Sequence, residues 1–193
     1  MKPHRQIRAR IAALVALGLL TTPLFGLTLE DLRRDTKLTP QRFAHYFAHF
    51  KFEFHANVQS PDQFLAGQAG DCDDYATLAA TILREKGYTT RLVTVRMPGA
   101  VHVVCYVAET RCFLDYNDRE FPIRTVASNG SLTDIARKVA WSFGDTWTSA
   151  SEFTFVGGHK QTVTTIDHDG TIHHYGPTLT LARRAPHDIP VNF

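Results

Sequence analysis

The stretch Gly70-Asp71-Cys72-Asp73-Asp74-Tyr75-Ala76 begins a helix that we predict to run to Lys86. The apolar residues of this helix recur at the spacing of one helix face: Tyr75, Leu78, Ala79, Ile82 and Leu83. Asp71 is a favourable N-cap with Asp74 three residues later, and Gly87 supplies a left-handed C-terminal cap. We therefore expect Cys72 to lie in the first turn of a buried helix.

The position of Cys72 has chemical consequences. Free N–H groups and the helix dipole stabilise a thiolate, which is the form of cysteine that attacks a carbonyl carbon. A lone cysteine is more commonly a small apolar filler of the core. The neighbours Gly70, Asp71 and Asp73, however, are typical of a polar surface turn, where no filler is needed. The pattern favours Cys72 as a nucleophile.

Downstream of the helix, the pattern changes to that of β-strands, which we predict at residues 89–96, 101–107 and 112–116. A hairpin in which His102 lies opposite Asp115 also places Cys105 opposite Cys112, with its turn centred between residues 108 and 109. Side chains alternate along a strand, so His102 and Asp115 share one face of this hairpin and the two cysteines share the other.

This register predicts two contacts. A histidine beside a carboxylate is the partner that a cysteine nucleophile requires: His102 would exchange the proton and Asp115 would orient the ring. The backbone N–H of Cys72 would be the first donor to an oxyanion. Cys105 and Cys112 would lie close enough either to form a disulfide in an oxidising compartment or to remain a buried pair of thiols.

Three motifs in this order carry a resemblance: residues 70–76, His102-Val103-Val104 and Leu114-Asp115-Tyr116. Together they resemble the core of the transglutaminase-like superfamily, and within it most closely the bacterial transglutaminase-like cysteine peptidases. The resemblance covers residues 52–117. It implies an α+β, papain-like fold in which a Cys-bearing helix packs on an antiparallel sheet. It also implies a triad of nucleophile Cys72, base His102 and orienting Asp115.

One feature departs from the family pattern. Animal-type transglutaminases place a tryptophan upstream of the cysteine to help hold the oxyanion, whereas Trp141 and Trp147 both lie downstream here. By analogy with papain, Gln59, Gln63 or Gln68 would supply the second donor instead.

The N-terminus has the layout of a secretory signal, which we assign to residues 1–26. A basic head precedes the apolar run 11–20, and Pro23 follows that run before the small residue Gly26. The absence of charge from residue 11 to residue 29 leaves an uncleaved membrane anchor as the alternative. Residues 27–193 would then form a single domain, either periplasmic or secreted.

The composition excludes several classes of protein. The 193 residues include 21 Lys+Arg and 19 Asp+Glu, and the basic residues are scattered beyond the N-terminus, so we expect no nucleic-acid partner. Three cysteines are too few for a disulfide scaffold. We predict no metal or other cofactor, although four groups have ligand-type side chains: His45 with His49, the trio Asp71, Asp73 and Asp74, Asp167 with Asp169, and His173 with His174.

Further elements complete the predicted domain. We expect helices at residues 28–34, from Thr39-Pro40, from Ser60-Pro61 and at 131–141, and strands at 153–156, 163–166 and 171–175. The predicted function is that of an exported thiol enzyme that acts on a protein or peptide through a Cys72 thioester. Water as acceptor gives a peptidase and an amine acceptor gives a crosslinking enzyme. A catalytically idle binding module is the third alternative.

Overall fold

A computed structural model describes residues 26–117 and 124–175. The predicted signal segment lies outside these ranges, apart from Gly26. Within them, no helix has the length and hydrophobicity needed to cross a membrane.

Five α-helices occur in the described ranges: α1 (Leu29–Arg34), α2 (Pro40–Tyr46), α3 (Pro61–Gly67), α4 (Cys72–Glu85) and α5 (Leu132–Phe143). The predicted N-caps are confirmed, because the side chains of Thr39, Ser60, Asp71 and Ser131 each accept a backbone N–H of the helix that follows. These caps depend on residues two to three positions apart, which explains why the sequence alone identifies them.

Two strands form a short parallel pair, β1 (Lys51–Phe52) and β2 (Ala69–Gly70). The others form a seven-stranded antiparallel sheet in the order β6-β5-β4-β3-β7-β8-β9. Its strands are β3 (Thr90–Met97), β4 (Ala100–Val107), β5 (Cys112–Asp115), β6 (Arg124–Ala127), β7 (Ser149–Val156), β8 (His159–Asp167) and β9 (Ile172–His174). A tight turn joins the last two strands, in which Gly170, with a φ of 92°, donates to the carbonyl of Asp167.

The sheet separates two hydrophobic cores, so the predicted α+β class is confirmed. On one face, α4 packs with α1 to α3 over side chains that include Leu92, Cys105 and Leu114. On the other face, α5 covers side chains that include Val104 and Phe113. Adjacent residues of β4 and β5 therefore contribute alternately to the two cores.

The predicted register of the β4–β5 hairpin is wrong by two residues. Cys112 pairs with Val107 and Cys105 pairs with Leu114, so the two cysteines are not opposite each other, and all three cysteines are free thiols. The turn is centred further along the chain because Arg111 adopts a left-handed conformation with a φ of 48°. A shift of two residues keeps every side chain on its predicted face.

Candidate active site

The start of α4 is held by a reciprocal cap. Asp71 accepts the N–H groups of Asp73 and Asp74, and the Asp74 carboxylate accepts the N–H of Asp71 in return. The first residue of the helix is Cys72, which is partly exposed. Its backbone N–H has no acceptor among the described residues, as expected for the first helical position. A partly accessible thiol and a free N–H donor thus lie together.

His102 and Asp115 form a buried pair. Nε2 of His102 lies 2.7 Å from Oδ1 of Asp115, and both side chains are about 3% exposed. Because Nε2 faces the carboxylate, Nδ1 is the nitrogen left to exchange a proton with another group. The ring of Phe143, at the end of α5, lies 5.0 Å from the His102 ring and shields it.

The surroundings of His102 favour its protonated form. Burial acts to lower the pKa of the imidazole, but hydrogen bonds and charge interactions with Asp115 and Cys72 outweigh burial and raise the pKa to about 9. The structure thus brings the three predicted site residues into one interacting group. A protonated imidazole beside a thiol is the arrangement that stabilises a thiolate.

The sheet itself allows α4 to approach the histidine. Pairing between β4 and β5 covers Cys105 to Val107, so His102 lies beyond the paired part of β4 on that side. His102 shares a face with Val104, which packs under α5, whereas Cys72 belongs to a helix on the opposite face. The thiol and the imidazole therefore interact at a position where β4 is paired with β3 but not with β5.

A loop before α4 is tied to the same helix turn. The backbone N–H and the side-chain amide of Gln59 both donate to the buried Asp74 carboxylate. The N–H of His55 donates to Asp71 at 2.9 Å. Two carboxylates at the helix start thus fix both the cap and the preceding loop.

Within residues 26–117 and 124–175, one cluster has metal-ligand chemistry: His55, Asp71 and Asp74 place one ligand atom each within 4.8 Å of the others. Sequence reasoning grouped Asp73 with the two aspartates and did not single out His55. The four carboxylate oxygens of Asp71 and Asp74 already accept N–H donors from the protein. This bonding explains the cluster as a capping network.

The glutamines considered as oxyanion donors have other roles. Gln59 uses its amide N–H groups on Asp74 and on the carbonyl of Ala69. The Gln63 side chain completes the capping box of α3 with Ser60. Gln68 is the left-handed C-cap of the same helix. The backbone N–H of Cys72 is therefore the best-placed donor at the thiol.

A lysine that sequence reasoning missed lies beside this site. Lys160 of β8 donates to Oγ1 of Thr94 at 3.0 Å. Burial lowers the pKa of its amine, as does the charge of Arg96, and the charges of Asp73 and Cys72 offset this only in part. Burial, followed by a hydrogen bond with Asp71, raises the pKa of Asp73 to about 7. No local pattern in β8 indicates this position, because the contacts cross two strands.

Comparison with known proteins finds a family match for the part of the chain that carries the three site residues. Residues 31–118, a little less than half of the chain, match the family model described as the transglutaminase-like superfamily. No curated protein matches the chain. The matched segment runs from α1 to just beyond β5 and contains Cys72, His102 and Asp115. Residues 31–118 are therefore similar to a domain of the transglutaminase-like superfamily.

Proposed function

We propose that the protein is an exported thiol acyl-transfer enzyme that hydrolyses peptide or isopeptide bonds through a thioester on Cys72. The observation that carries the proposal is the buried His102–Asp115 pair, whose imidazole also interacts with Cys72 at the start of α4. The transglutaminase-like domain supports thiol-based chemistry. The compartment rests on the sequence of residues 1–26 alone.

The proposed acylation step uses Cys72 and His102 as the catalytic residues. The Cys72 thiolate attacks the carbonyl carbon, and the backbone N–H of Cys72 donates to the oxyanion that forms. As the carbon–nitrogen bond breaks, Nδ1 of the His102 imidazolium gives its proton to the leaving amine. Asp115 is a positioning residue, since it holds Nε2 and stabilises the charged ring.

Deacylation determines the class of enzyme. Neutral His102 takes a proton from the acceptor, which is water or an amine. The oxygen or nitrogen of the acceptor attacks the thioester carbon, and the Cys72 thiolate leaves. A water acceptor releases a carboxylic acid, and an amine acceptor forms a new amide. We favour water because the sequence motifs most resemble those of bacterial cysteine peptidases.

A two-part experiment tests this proposal. The first part treats the protein with a peptide fluoromethyl ketone and measures the intact mass. We expect one adduct on the wild-type protein and on Cys105→Ala, and none on Cys72→Ala. A wild-type protein that forms no adduct would favour the idle binding module.

The second part distinguishes the acceptors with dimethylcasein and the fluorescent amine monodansylcadaverine. If the acceptor is water, we expect casein fragments and no fluorescent casein. Whichever activity the wild-type protein shows should be lost in Cys72→Ala. Fluorescent, intact casein would instead identify a crosslinking enzyme.

A further inference from the structure

The part of the chain that follows the family match contributes a lysine whose charge interacts with Cys72. Strands β7 and β8 follow β3 in the sheet and extend it beyond the strands that α4 covers. Lys160 of β8 lies opposite Phe155 of β7 and is exposed to solvent. Because Lys160 lies outside residues 31–118, the matched domain does not account for its position.

The Lys160 side chain is held in one direction. Its Nζ lies 3.9 Å from the centre of the Phe153 ring and donates to Thr94 Oγ1 at 3.0 Å, so the side chain reaches across β7 to β3. Thr94 pairs with Val103, which directly follows His102. The ammonium is therefore directed toward the strand pair that carries the histidine of the candidate site.

This ammonium has unused binding capacity. It carries three N–H donors, of which one is used on Thr94, and within the described ranges Lys160 has no acidic partner in ion-pair contact. Arg96, two residues along β3 from Thr94 and on the same face, also lacks such a partner there. The charges of Arg96 and Cys72 both act on Lys160.

The nearest acidic group is poorly suited to neutralise Lys160. Asp73 does not reach ion-pair distance, and its Oδ1 is buried without a hydrogen-bond partner among the residues described. Burial and Asp71 raise the pKa of Asp73 to about 7, so a substantial fraction of this carboxyl is uncharged near neutral pH. Lys160, whose amine interacts with the charge of Cys72, consequently has little compensating negative charge close to it.

We propose that Lys160 is a specificity-determining residue that binds a carboxylate of the acyl donor close to the bond that Cys72 attacks. The proposal rests on the proposed function, because it takes Cys72 as the nucleophile. An ammonium with free donors forms charge-assisted hydrogen bonds with a carboxylate, which are stronger than those with neutral acceptors. The substrate class is therefore a peptide or isopeptide with an acidic group next to the scissile amide.

Matched covalent probes test this inference. Three peptide fluoromethyl ketones carry Glu, Gln or Lys, in one series at the residue that bears the reactive group and in a second series one residue before it. The rate of Cys72 modification is measured by intact mass. We expect the Glu probe to react about tenfold faster than the Gln probe in at least one series, because a charged hydrogen bond is worth roughly that factor.

Two variants separate charge recognition from packing. Lys160→Met keeps an unbranched side chain over Phe153 and should reduce the Glu/Gln ratio to about one, whereas Lys37→Met, which removes an exposed lysine on another surface, should preserve it. Lys160→Glu provides a second variant, in which the preference should change to the Lys probe. A purely structural role for Lys160 would leave these rate ratios unchanged.

The possible failures are distinguishable. Equal rates for the Glu and Gln probes in both series, or a preference that survives in Lys160→Met, would overturn the role of Lys160 while leaving Cys72 as the nucleophile. Absence of Cys72 modification by every probe and by iodoacetamide would overturn both proposals.

Discussion

Nε2 of His102 lies 2.7 Å from Oδ1 of Asp115, although the β4–β5 register, continued to these two positions, makes them diagonal neighbours and not direct partners. Diagonal positions on neighbouring strands are about 7–8 Å apart, a distance that an imidazole and a short carboxylate together can span. The contact therefore depends on the side chains themselves rather than on direct pairing of the backbones.

This relationship makes the His102 titration sensitive to Asp115. Although burial acts to lower the pKa of His102, the hydrogen bond and charge of Asp115 help to raise it to about 9. We expect Asp115→Asn to lower the midpoint toward or below the ordinary value of about 6.5, as measured by NMR of the ring carbons. Asp167→Asn, which removes the exposed partner of His173, is the matched control and should leave the His102 midpoint unchanged.

The three thiols should differ in their reactivity. Burial raises the pKa of Cys105 to about 12 and also raises that of Cys112, whereas Cys72 is partly exposed beside a protonated imidazole. We expect iodoacetamide at pH 7 to alkylate Cys72 at least about tenfold faster than the other two, because the thiolate is the reactive form. Peptide mapping after timed labelling measures the three rates. Equal rates would contradict a special role for Cys72.

Gly70 should tolerate no side chain. A Cβ at this position would lie 2.6 Å from both Asp74 Oδ2 and a ring carbon of Phe64, beside the capping carboxylate of α4. We expect Gly70→Ala to lower the free energy of unfolding by roughly 1–3 kcal/mol, the usual cost of overpacking. Gly67→Ala, where a Cβ meets nothing within 4 Å, is the matched control and should not destabilise the protein. Urea denaturation of the two variants and the wild-type protein, with comparable m-values, measures this difference in the free energy of unfolding.

The contribution of Asp134 to the stability of the fold should depend on pH and be lost in acid. Burial acts to raise the pKa of this carboxyl, but hydrogen bonds from Lys138, Ser128, the Asn129 N–H and Arg137 lower it strongly. Since the folded pKa lies below the unfolded value of about 3.9, the stabilisation is present above pH ~4 and is lost as the pH falls below it.

The corresponding test compares Asp134→Asn with Asp62→Asn, which changes an exposed carboxyl of α3. At pH 7 we expect Asp134→Asn to cost roughly 1–3 kcal/mol, because it weakens hydrogen bonds to a charged group. The cost should shrink as the pH falls from 5 to 2. A constant difference across this range would contradict the assignment.

Export is a prediction from the sequence of residues 1–26. A fusion of residues 1–35 to a reporter that is active only outside the cytoplasm should give signal, because the basic head and apolar run have the layout of a secretory signal. Replacing the apolar run 11–20 with a polar sequence of equal length is the control and should abolish the signal. A cytoplasmic fusion with the natural sequence would show that the segment has another role.

Local sequence signals predicted the helices well, because caps such as Asp71 and Ser131 act within one turn. The strand alternation likewise predicted which residues of β4 and β5 share a face. The register could not be predicted, because it depends on the left-handed conformation of Arg111 in the turn, a conformation that a non-glycine residue adopts only in a suitable context. The predicted pairing of Cys105 with Cys112 was therefore wrong, whereas the predicted contact of His102 with Asp115 is present.

The surroundings of the candidate site could not be obtained from the sequence in the same way. Lys160 is far from Thr94 and Cys72 along the chain and approaches them only because β7 and β8 join the sheet beside β3. The loop contact of Gln59 with Asp74 also requires the fold to bring two segments together. Such long-range contacts leave no periodic signal in a single sequence.

The two-sided sheet has a consequence for dissecting the chain. The α5-facing side chains of β4 and β5, which include Tyr106 and Phe113, are buried under a helix that follows residue 118, where the family match ends. A fragment that stopped there would leave this apolar face in water and His102 without Phe143 against its ring. The segment that matches the family model is thus smaller than the unit that folds, and we expect fragments ending at residue 118 to aggregate during expression.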